Sequence, residues 1–84
     1  MDNGKIYDFE LLRAERRALS LALDLGVQLD PRIHPLDFAI NLYNEAKNLR
    51  ESGRIIKNLI EVENKIKIEY SDVFDSLRSR HLID

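Results

Sequence analysis

Apolar residues recur at spacings of three and four along the whole C-terminal third of this chain. Ile55, Leu59, Val62, Ile66, Tyr70, Val73 and Leu77 form one stripe, with Ile56, Ile60 and Phe74 beside it. That is the period of an α-helix with one buried side. No glycine or proline follows Gly53 to stop such a helix, and both are strong helix breakers. Glu61/Lys65 and Glu63/Lys67 are i,i+4 pairs in the favourable order. The pattern predicts one helix over residues 54–80. A competing period runs through the same residues. Ile60, Val62, Ile66, Ile68 and Tyr70 alternate with polar residues, as a half-buried strand does. This alternative is an α+β chain with a hairpin at residues 59–70 and a short helix capped by Ser71. The hairpin has poor turn chemistry. A two-residue loop near Asn64 pairs apolar with polar residues, and a three-residue loop lacks the glycine it needs.

Two further helices precede this stretch. The first is expected over residues 9–25, with Asp8 as its N-cap and Gly26 just past its end. Its polar side holds Glu10, Arg13, Arg16, Arg17, Ser20 and Asp24. The remaining arc spans about 200° at 100° per residue. It carries two apolar strips, Leu12/Leu19/Leu23 and Leu11/Ala18/Ala22, with Glu15 between them. An arc so wide predicts neighbours on two sides. The second helix is expected over residues 35–52, opened by Pro35 and stopped before Gly53. Leu36, Phe38, Ala39, Ile40, Leu42, Tyr43, Ala46 and Leu49 form its apolar face, opposite Asp37, Asn41, Asn44, Glu45 and Asn48.

The fold expectation is therefore all-α: a small antiparallel three-helix arrangement in one domain spanning residues 1–84, with residues 1–7 as a flexible arm. Length makes this core small. An 84-residue chain buries only about 60–65% of the surface its unfolded form exposes. It has no cysteine and only two histidines, His34 and His81, so neither a disulfide nor a zinc site reinforces it. A helix over 54–80 is about 40 Å long against about 27 Å for the second helix. Two shorter helices leave part of that stripe uncovered. Completion by dimerisation follows, with Leu59, Ile66, Tyr70, Val73, Phe74 and Leu77 as the expected interface.

Function is narrowed mainly by exclusion. The sequence holds no phosphate-cradling loop, metal-ligand cluster or nucleophile–base set, so catalysis, cofactor and metal are all read as none. His34 beside Pro35 reads as a loop residue near the second helix's N-cap, and His81 as a residue of a fraying C-terminus. Glu15 has two readings: a buried carboxylate paired with a cation, or one at a seam that reaches water. The formal net charge of −2 argues against general nucleic-acid binding. Two local clusters, Arg13/Arg16/Arg17 and Arg50/Arg54/Lys57, are nevertheless candidate phosphate contacts, although acidic neighbours offset them and no aromatics are interleaved. No apolar run reaches the roughly 20 residues of a membrane span, and no signal peptide opens the chain. A cytoplasmic location is expected. The leading functional reading is a non-enzymatic interaction or regulatory protein acting through helix faces, on a protein partner or its own copy. The alternatives are a nucleic-acid-binding regulator and an inhibitor or immunity-type protein. The identity of the partner is not encoded in any motif.

Overall fold

The computed structural model describes residues 9–54 and 56–84. The expectations for the arm at residues 1–7, for Asp8 as a cap and for Ile55 fall outside the described residues. Those residues are all-α, with no strand among them, so the hairpin alternative at 59–70 is excluded. The order is α1 (Phe9–Asp24), α2 (Pro35–Glu51), α3 (Lys57–Asn64), a π-helical turn (Lys65–Glu69) and α4 (Ser71–Ser79).

The helix ends follow from local chemistry. His34 is the N-cap of α2: its Nδ1 accepts the Leu36 N–H at 3.1 Å, and Pro35 supplies the fixed φ of a first helical residue. α1 ends at Gly26, φ +71°. The Gly26 N–H donates to the Leu23 carbonyl and the Val27 N–H to that of Ala22. This is the Schellman closure, which satisfies carbonyls that the last turn leaves open. Gly53, φ +76°, closes α2 in the same way, with Gly53 N–H to Arg50 and Arg54 N–H to Leu49. α4 repeats the closure with a non-glycine residue, His81 at φ +62°. The C-terminus does not fray there. Ile83 is buried, and Asp84 accepts from Lys47 Nζ at 2.5 Å.

The expected single helix over 54–80 is corrected to two helices and a bend. The Tyr70 N–H donates to the Lys65 carbonyl at 2.7 Å, five residues back, and Tyr70 leaves helical geometry at φ −122°, ψ 28°. The extra residue of the π turn redirects the chain. α4 then lies antiparallel to α1, with Asp72 beside Arg17 at one end and Arg80 beside Glu10 at the other. The apolar stripe supplies the reason. A straight helix projects its last two turns into water, whereas the bend buries Tyr70, Val73, Phe74 and Leu77 in the chain's own core. At roughly 1.5–3 kcal/mol for each large apolar side chain removed from water, that burial outweighs one irregular turn.

The core joins one strip of α1 (Ala14, Ala18, Leu21) to Leu36, Ala39 and Ala46 of α2, Leu59, Ile66 and the α4 residues. The alanines let α2 and α4 both pack against α1. The Tyr43 and Phe74 rings stack at 6.1 Å between centroids.

Candidate interaction face

All six residues expected at a dimer interface, Leu59, Ile66, Tyr70, Val73, Phe74 and Leu77, are buried within one chain. The premise that the end of the stripe stays exposed in a monomer is thereby corrected. Covering it needs only a bend, and the bend costs less than leaving an aromatic patch in water.

The basic clusters are divided in a similar way. Arg17 forms a two-pronged pair with Asp72, Nε–Oδ2 at 3.1 Å and Nη2–Oδ1 at 3.2 Å. Its guanidinium also donates to the Glu69 carbonyl at 2.7 Å and lies 4.5 Å above the Tyr70 ring. The Tyr70 hydroxyl donates to Asp24. Arg17 thus ties α1 to the π turn and to α4, so it serves the fold. The pairing raises its pKa and holds the Asp72 carboxyl below the usual range, in both cases chiefly through their mutual hydrogen bonds. The hydrogen bond to Asp24, helped by burial, pushes the Tyr70 hydroxyl up to about 12. Arg50 of the second cluster is likewise paired with Glu63 of α3, which holds that carboxyl low. Arg54 and Lys57 are exposed at the α2–α3 junction. The described residues lining the groove beside Arg13, Arg16 and Arg17 all belong to α1, and none of Arg50, Arg54 and Lys57 is among them.

Glu15 takes its water-reaching reading. Its side chain is 31% exposed, with Oε2 3.5 Å from His34 Nε2. Among the described residues no group of three or more His, Asp or Glu side chains converges to hold a metal ion. No helix among them is long and apolar enough to cross a membrane.

The feature left unexplained by the core is the other strip of α1. Phe9 is 73% exposed and Leu23 77%, and Leu12 and Leu19 are each 44% exposed. α1 does have two neighbours, α2 and α4, but neither covers this strip. α2 and α4 both pack on the alanine side. A shorter exposed row runs from Ile56, just before α3, through Ile60 on α3 to Ile68 in the π turn. An apolar groove lined by Leu42, Ala46, Leu49, Leu59 and Val62 runs between α2 and α3. The α1 strip is longer and stands on a regular helix clamped to the core. Sequence reasoning placed no site residue on this strip apart from the flanking arginines. The sign it carried was the excess width of the apolar arc, which a single buried face does not need. No family model, curated protein or solved structure matches the chain.

Proposed function

We propose that the protein is a non-enzymatic interaction module that works by presenting the outer strip of α1 to another macromolecule. The observation that carries this reading is the exposure of Phe9, Leu12, Leu19 and Leu23 along one side of a helix whose opposite side is core. Four large apolar side chains in a row exceed what isolated surface residues account for, and such patches mark interaction sites. The dimer contact expected on residues 59–77 loses its premise, because those six side chains are buried within one chain, and the reading rests on α1 instead. The nucleic-acid reading loses Arg17 and Arg50 to internal acids, and no observation favours it.

The test replaces Leu12 and Leu23 together with lysine. Both side chains are exposed, so the double variant should keep its helical circular dichroism and its thermal midpoint. Chemical cross-linking and affinity capture from cell extract should lose their specific species. Retention of every captured species by the folded variant rejects the reading.

A further inference from the structure

We infer that the occupant of this α1 face is an amphipathic helix of another protein whose apolar seam is flanked by carboxylates. The inference rests on the interaction reading above and adds the chemistry of the partner. With Phe9 set at zero and 100° per residue, Leu19, Leu12, Leu23, Arg16, Phe9, Ser20 and Arg13 fill an arc from about 280° through zero to about 40°. Four of the seven are apolar and two are cations, and none is an acid. Of the carboxylates bounding the arc, Asp24 accepts from the Tyr70 hydroxyl, and Glu15 Oε2 lies 3.5 Å from His34 Nε2 on the far edge. Arg13 and Arg16 are exposed and make no ion pair or hydrogen bond among the described residues. The face is therefore apolar and carries two arginines without an ion-pair partner among the described residues, on a chain whose net charge is −2.

Position within the arc chooses between occupants. Arg16 lies midway between Phe9 and Leu23 along the strip. A second copy laid α1 against α1 so that Phe9, Leu12, Leu19 and Leu23 meet across the full strip, parallel or antiparallel, sets Arg16 against its own counterpart, and like charges in contact repel. A lipid surface suits helices whose cations lie opposite the apolar side. Here the Arg16 guanidinium stands inside the apolar arc, so seating Phe9 and Leu23 among acyl chains drags a charge in with them. A protein helix avoids both problems by placing a glutamate or aspartate opposite Arg16 while its leucines meet Leu12, Leu19 and Leu23. The hydrogen-bonded pair is then partly desolvated, which strengthens it.

The test uses two synthetic helical peptides with an identical leucine seam, one flanked by glutamates and the other by lysines, titrated against the full chain. The acidic peptide should bind at least about tenfold more tightly than the basic one, and added salt should narrow the gap. Arg13→Glu/Arg16→Glu should reverse the preference, and Arg16→Gln should shrink it. All three proteins should share one thermal midpoint, because neither guanidinium has an ion-pair or hydrogen-bond partner among the described residues. Equal binding of the two peptides, or a preference that survives the charge reversal, overturns the inference. So does binding to phosphatidylserine vesicles in the absence of peptide binding. Self-association that Leu12→Lys/Leu23→Lys abolishes overturns it as well, by assigning the face to a second copy. If capture depends on Leu12 and Leu23 but not on Arg16, the partner chemistry is refuted and the interaction reading stands. If capture depends on neither, both fall.

Discussion

Arg17 shows how one side chain can be withdrawn from a surface patch by its neighbours. It is one of three arginines within five positions, yet it alone meets Asp72, the Glu69 carbonyl and the Tyr70 ring. The Tyr70 hydroxyl completes the junction by donating to Asp24, and this junction has a pH signature. Its pKa rises from 10.0 to about 12, so the folded state holds the phenolic proton more tightly than the unfolded chain does. That stabilisation is complete below the unfolded value and is lost as pH rises through the folded one. The thermal midpoint should therefore fall between about pH 10 and 12 more steeply in the native protein than in Tyr70→Phe. Parallel slopes in the two proteins would show that the hydroxyl is not held by Asp24. At the acid end, the depressed carboxyls of Asp72 and Glu63 act with the opposite sign. Their contribution is present above the ordinary carboxylate range and disappears as pH falls below it.

Three of the helices end in the same hydrogen-bonded closure, and only one of them uses a residue unsuited to it. His81 occupies the left-handed region at φ +62°, which costs a side-chain-bearing residue about 1–2 kcal/mol. Its imidazole makes no hydrogen bond or ion pair among the described residues that compensates. His81→Gly should raise stability by about 0.5–1 kcal/mol, after the greater entropy of glycine in the unfolded chain is deducted. On a domain of this size that is a gain of a few degrees in thermal midpoint, whereas His81→Ala should give none. A lowered midpoint for the glycine variant would mean that the imidazole contributes a contact of its own. The bend between α3 and α4 belongs to the same scale. Its π turn depends on the Tyr70-to-Lys65 hydrogen bond and is pinned from outside by Arg17.

Across the whole molecule, the core and the outer α1 strip answer to different measurements. Phe74 is 1% exposed and Leu77 fully buried. Phe74→Ala should cost about 3–5 kcal/mol, most of the stability of a small domain. The loss should not depend on protein concentration, since the side chain packs within one chain. A midpoint that recovers on raising the concentration would return these residues to an intermolecular contact. Leu23, at 77% exposed, should behave in the opposite manner, with stability nearly unchanged on substitution and binding lost.

The sequence alone determined the helical class and most helix ends. Its apolar period, Pro35, Gly26 and Gly53 act through contacts within a few residues. α1 and α2 accordingly fall within a residue of their expected limits, 9–25 and 35–52 against Phe9–Asp24 and Pro35–Glu51. It also held the α1 strip, visible as an arc too wide for one buried face. Tertiary structure decided where the third stripe turns. Nothing between Lys65 and Tyr70 breaks a helix, and the local chemistry there includes a Glu-to-Lys pair that favours continuation. The bend comes from burying Tyr70, Val73, Phe74 and Leu77 against α1 and α2, whose positions no local window contains. That same choice covered the residues the sequence offered as an interface, while Phe9, Leu12, Leu19 and Leu23 stay exposed. With α2 and α4 both packed on the alanine side of α1, no other helix among the described residues covers them.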